Sequence, residues 1–179
     1  MVASLNVLPR DKITRMWRWG FPLAIAIIAL DQLSKMMILG TPTFNALGCL
    51  PSNAECGRIE MSSVFDFTMT WNRGVSFGAL QAEGLARWVL FGLTSAISIG
   101  FAVWLMRAER WMTALALSLV IGGAIGNLVD RARFGAVVDF LDFSGLYFPW
   151  IFNVADAAIS VGAAALLLDQ VLAGRKPAG

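Results

Sequence analysis

The chain has no histidine, two cysteines, and charge on only 15% of its 179 residues. Without an imidazole there is no Ser-His-Asp or Cys-His mechanism and no His-ligated metal site, because each needs that ring. The scarcity of charge, against about 25% in soluble domains, excludes an ordinary soluble composition. With 58% hydrophobic residues the chain reads as a membrane protein. The formal charge is +2, and most of the cations lie beside apolar runs instead of forming a basic patch, so no nucleic-acid partner is implied. Aspartates are left as the obvious catalysts.

Four stretches reach the roughly 20 residues a helix needs to cross a hydrocarbon core: Trp19–Leu39, Trp88–Met106, Trp111–Val129 and Trp150–Leu168. Each has a tryptophan at or beside its first residue, where an interfacial ring is favoured. Cations set the orientation. Arg10, Lys12, Arg15 and Arg18 precede the first span, Arg107 and Arg110 join the second and third, and Arg175 and Lys176 follow the fourth. Both termini are therefore expected in the cytoplasm, with 40–87 and 130–149 outside. The expected fold is an all-α membrane protein of four transmembrane helices with a small extracytoplasmic β-sheet, as one domain over 1–179.

The first apolar run contains Asp31 and Lys35, and Ala46-Leu47-Gly48-Cys49, which could be taken for a lipoprotein cleavage box, lies well beyond it. The run is thus expected to be a retained anchor and not a signal peptide. Cys49 and Cys56 share one polar stretch; if it faces outward a local disulfide is expected, although a free pair is tolerated. Further on, Phe65, Phe67, Met69 and Trp71 alternate with Asp66, Thr68, Thr70 and Asn72, the period of a half-buried strand. Gly74 and Gly78 break that strand, leaving the residues between them free to approach a ligand. Gly122 and Gly126 form a small-x-x-x-small pair suited to close helix packing.

Ionisable groups inside spans are costly and need an explanation. Asp31 and Lys35, four apart, stand on one helix face and neutralise each other, whether for structure or in support of a site; Ser34 and Gln32 extend the set. Asp169, at the cytoplasmic end of the fourth span, is expected to be an incidental exposed acid. Asp156 has no basic residue within two turns and stands six residues after Trp150, roughly 9 Å into its span. Either it is functional or it is a protonated carboxyl hydrogen-bonded in the bundle. Asn153, three residues earlier on the same face, can orient it.

Peptide hydrolysis by carboxyls needs two of them sharing a proton, one to activate water and one to polarise the carbonyl. Asp130, Asp139 and Asp142 are the candidates to partner Asp156. Asp130 is followed by Arg131 and Arg133 and reads as a fixed anion paired with them, beside Asn127. Asp142 reads as an exposed loop acid. Asp139, within Ala136-Val137-Val138-Asp139-Phe140-Leu141, has the dry surroundings that suit a coupled pair.

Five segments occur in one order: Asp31-Gln32-Leu33-Ser34-Lys35, Asn72-Arg73-Gly74-Val75-Ser76-Phe77, Gly126-Asn127-Leu128-Val129-Asp130-Arg131, Val137-Val138-Asp139-Phe140 and Phe152-Asn153-Val154-Ala155-Asp156. In them the chain resembles the lipoprotein signal peptidases, or signal peptidase II, a family of bacterial inner-membrane aspartyl peptidases. The resemblance implies Asp139 and Asp156 as catalytic residues. It also implies supporting roles for Asn127, Asp130, Arg131, Asn153, Asp31 and Lys35, with Asn72 and Gly74 near the substrate. It implies no metal or organic cofactor, and as substrate a prolipoprotein diacylated on its cysteine and cut just before it. A monomer is expected, with its active site near the outer face of the membrane. Val75 departs from the family's usual alanine, and the stretch with Cys49 and Cys56 is longer than is typical. The rival expectations are a proton-coupled transporter, which would carry inverted repeats and acids near mid-bilayer, and a non-catalytic assembly factor.

Overall fold

Each of the four apolar runs forms one long helix, because in hydrocarbon a helix satisfies every backbone N–H and C=O within a single segment. The computed structural model describes residues 16–49, 55–74 and 85–174. Along the chain come α1 (Met16–Leu39), a short α2 (Pro42–Ala46), β1 (Glu55–Glu60), β2 (Asp66–Asn72), α3 (Leu85–Met106), α4 (Trp111–Phe134), β3 (Val137–Asp142), β4 (Ile151–Phe152) and α5 (Val154–Gly174). Helices α1, α3, α4 and α5 are long and apolar enough to span a membrane. The chain is a multi-pass membrane protein.

The central helix is α4. In its most apolar stretch 72% of residues are buried, against 11% to 22% in the other three spans. Large apolar side chains such as Ile25, Met37, Val89, Ile99, Val161 and Leu167 are left exposed along α1, α3 and α5, as bilayer contact allows. Glycines of α4 let its neighbours close in. A Cβ on Gly122 would stand 2.8 Å from the Ala24 carbonyl oxygen of α1, and one on Gly123 would lie 2.3 Å from the Ala155 carbonyl oxygen of α5. The close-packing expectation for Gly122 therefore holds, and Gly123 does the same on the opposite side.

The strands make one antiparallel sheet in the order β1-β2-β3-β4. Met69, Trp71, Val138 and Phe140 of its apolar face pack with Cys56, Ile38 at the end of α1, and Phe44 of α2. The alternation from Phe65 to Asn72 is realised as β2.

Several boundaries move. The fourth span begins at Val154 and not at Trp150, because Ile151 and Phe152 pair with Asp142 and Leu141 as β4. A short apolar run cannot be assigned to strand or helix by periodicity alone. The same helix passes Leu168 to Gly174. Asp169 is fully buried and not an exposed acid: it accepts from Thr113 Oγ1 at 2.5 Å and pairs with Arg110 at 2.6 Å. Helix α4 continues past Val129 to Phe134, carrying Asp130 and Arg131 within it. Asp142 is likewise no exposed loop acid; it is buried at the end of β3, accepting from Thr68 Oγ1 at 2.6 Å and Ser144 N at 2.8 Å. Cys49 and Cys56 are not bonded to each other; the Cys49 thiol donates to the Cys56 carbonyl at 3.1 Å.

Candidate active site

The chain around Asp139 folds back onto the start of α5 because β3 turns through Ser144–Leu146 into β4, which ends one residue before Asn153. Asn153 is not on the face of α5, as its spacing from Asp156 suggested, but immediately before the helix, as its cap. Its Oδ1 accepts from Asp156 N at 2.9 Å, and its own N–H donates to Asp156 Oδ2 at 3.3 Å. This reciprocal pair is a capping box, here with aspartate at the third helical position. Asp156 thus lies in the first turn of α5 and not 9 Å along it. The Asn-x-x-Asp spacing was the sequence signal that could have placed the helix start.

The Asn153 amide then reaches the other acid. Nδ2 donates to Asp139 Oδ1 at 2.7 Å and also lies 3.2 Å from Val138 O and from Asn127 Oδ1. Asp139 Oδ2 accepts from Asn72 Nδ2 at 2.9 Å. The Asn72 side chain is fixed in turn, because its Oδ1 takes the N–H of Gly74 at 2.9 Å. Gly74 has φ +85°, a backbone conformation that a residue with Cβ rarely adopts. Residues 75–78, including Gly78, lie outside the described residues.

Asp139 is 2% exposed. Burial, and after it the charge of Asp156, push its carboxyl up to about 7, against the opposing hydrogen bonds from Asn72 and Asn153. Asp156 receives a further donor from α4, Asn127 Nδ2 at 2.8 Å. The two acids are therefore joined through one asparagine and share a local field.

Behind them lies a buried ionic cluster. Lys35 pairs with Asp31 at 2.8 Å and Asp130 at 2.7 Å, and donates to Asn127 Oδ1 at 3.2 Å. With Asn127 Oδ1 facing the ammonium, its Nδ2 is directed at Asp156. Asp130 is thus a fixed anion, but its cation is Lys35 and not Arg131 or Arg133. Its oxygens also accept from Gln32 at 2.9 Å and Val138 N at 3.1 Å. Asp31 Oδ1 accepts from Ala155 N at 3.0 Å, tying α1 to the first turn of α5. Gly126 leaves the room for this: a Cβ there would stand 2.6 Å from Asp31 Oδ2. Gln32 joins the cluster as expected, whereas the Ser34 hydroxyl, among the described residues, bonds only the Asp31 carbonyl, at 2.7 Å. Arg131 is half-buried one turn beyond Asn127 on α4, and its Nε is buried without a hydrogen-bond partner among the described residues.

Residues 23–172 match the family model described as signal peptidase (SPase) II. The chain is 44% identical over 166 residues to the lipoprotein signal peptidase of Caulobacter vibrioides, covering 92% of this chain and 94% of that protein. It is 43% identical over 161 residues to that of Brevibacillus brevis, covering 88% and 98%. Two solved structures of bacterial membrane enzymes share the fold. One has a TM-score of 0.70 at 24% identity, covering 89% of this chain and 93% of that one; the other has 0.69 at 25%, covering 84% and 91%. With a family match running from α1 into α5 and relatives this similar over most of their length, the chain belongs to the signal peptidase II family.

Proposed function

We propose that Asp139 and Asp156 are the pair with which this peptidase removes the signal peptide of a diacylated prolipoprotein, cutting just before the lipid-bearing cysteine. The observation that carries this reading is Asn153, which bonds to both carboxyls from the cap of α5. Asp156, at the positive end of the α5 dipole with two N–H donors on its oxygens, suits the role of the base that takes a proton from water. Asp139, held in its protonated form by burial, suits the role of the acid that polarises the scissile carbonyl. Asp156 takes a proton from water as it adds to that carbonyl, and Asp139 gives its own proton to the carbonyl oxygen. The resulting gem-diol collapses as Asp156 passes its proton to the departing amine and a hydroxyl proton returns to Asp139, so both carboxyls end in their starting state. Asn127 and Asn153 orient the pair, while Lys35, Asp31 and Asp130 hold Asn127 and the start of α5 in place. Asn72 and Gly74 stand beside Asp139 near the substrate, and Arg131 beside Asn127.

A diacylated cysteine is held at the lipid-water boundary, and Asp156, in the first turn of a spanning helix, is at a matching level. Arg18 at the start of α1 and Arg107 and Arg110 between α3 and α4 support a cytoplasmic position for that end and an outer position for the sheet and the acids. The family match sets the transporter expectation aside.

The test is incubation of the purified protein with a diacylated prolipoprotein. Cleavage before the cysteine is expected for the wild type and loss of it for Asp139→Asn and Asp156→Asn, with both variants still folded in the membrane. Because Asp139 must carry its proton, kcat/KM is expected to be high below and to fall as pH rises through about 7. Cleavage retained by either variant would refute the assignment.

A further inference from the structure

The residue opposite Asp139 in the sheet is Thr70, its Cα partner across the β2–β3 ladder. Directly opposed side chains on an antiparallel pair share a face, with Cβ atoms about 4.5–5.5 Å apart. The polar neighbours of Thr70 on β2 are both engaged: Thr68 donates to Asp142, and Asn72 donates to Asp139. Thr70 Oγ1 is different, being buried with no hydrogen-bond partner among the described residues. Both Asp139 oxygens already accept a bond from an asparagine. A buried hydroxyl without a partner is costly and calls for an explanation.

The proposed substrate supplies one, and this step rests on the peptidase reading above. A signal peptide crosses the bilayer as a helix whose carbonyls are bonded internally, yet a bond that is to be cut must be presented in unwound backbone. Unwinding at the rim of the bilayer frees C=O groups that need donors. The site holds donors in want of acceptors, namely the Thr70 hydroxyl on one side of Asp139 and Arg131 Nε beyond Asn127. We propose that Thr70 is a substrate-anchoring residue whose hydroxyl donates to a backbone carbonyl of the unwound peptide beside the scissile bond. Thr70 thereby holds that bond against Asp139 and favours the unwound form over the helical one.

Replacing Thr70 with valine removes the hydroxyl while keeping the branched shape and strand preference. With the diacylated prolipoprotein as probe, Thr70→Val is expected to lower kcat/KM about tenfold through KM, as for loss of one substrate hydrogen bond. The thermal midpoint in detergent and the pH at which activity falls should match the wild type, and Thr70→Ser should restore KM. An unchanged KM in Thr70→Val would overturn the proposal. So would a loss confined to kcat with a shifted pH limb, which would make Asp139 and not the substrate the partner of the hydroxyl. A loss that follows a lowered thermal midpoint and is not restored by serine would overturn it in favour of packing. Wild-type cleavage, and its loss in Asp139→Asn, are read in the same assay, so failure of the peptidase reading is distinguished from failure of this one.

Discussion

Asn153 does two jobs with one side chain. Its Oδ1 caps α5 and its Nδ2 holds Asp139, so substitutions can separate stability from activity. Asn153→Ala is expected to cost about 1 kcal/mol for the lost cap, together with most of the activity. Asn153→Ser restores a capping oxygen but has no amide to reach Asp139, so it should regain the thermal midpoint and not the cleavage rate. Equal recovery of both would show that Asn153 acts only as a cap. Both acids of the candidate site were singled out in the sequence as candidates, Asp156 because it has no nearby cation and Asp139 because its neighbours are apolar. The partner of Asp130 was not, because charge adjacency pointed to Arg131 and Arg133 while Lys35 comes from a helix distant in sequence.

Among the helices, α1 and α4 are joined by a cation shared by two carboxylates that are both almost fully buried. Removing that cation leaves buried charge without compensation. Lys35→Met is expected to destabilise the protein by about 3–5 kcal/mol, a cost that further changing Asp31 and Asp130 to asparagine should partly relieve. Thermal unfolding in detergent measures both, and an unchanged midpoint in the single variant would place the ionic cluster outside the folding energetics. The existence of the four helices was readable from apolar length, and β2 from its alternation. Their ends were harder. Lys35 lets α4 continue through Asp130, Arg110 and Thr113 let α5 continue through Asp169, and pairing with β3 turns Ile151 and Phe152 into strand. Each of these depends on a partner remote in sequence, which local pattern cannot supply.

For the molecule as a whole, the polar groups gather where the sheet meets the ends of α1, α4 and α5, and α4 carries the packing between them. The sheet brings Asp139 to the cap of α5, and the ionic cluster holds α1 and α4 beneath it. The order of motifs along the chain pointed to the family, but the fold-back that joins the two acids needed the turn from β3 into β4. If Asp139 and Asp156 work as one unit, losing either should remove nearly everything the pair contributes. The most direct measurement is therefore kcat for Asp139→Asn, Asp156→Asn and the double variant on one diacylated prolipoprotein. Each single change is expected to lower kcat about a thousandfold or more, with the double variant no slower than the slower single. Losses that multiply in the double variant, or a single variant within about tenfold of wild type, would contradict a shared catalytic pair.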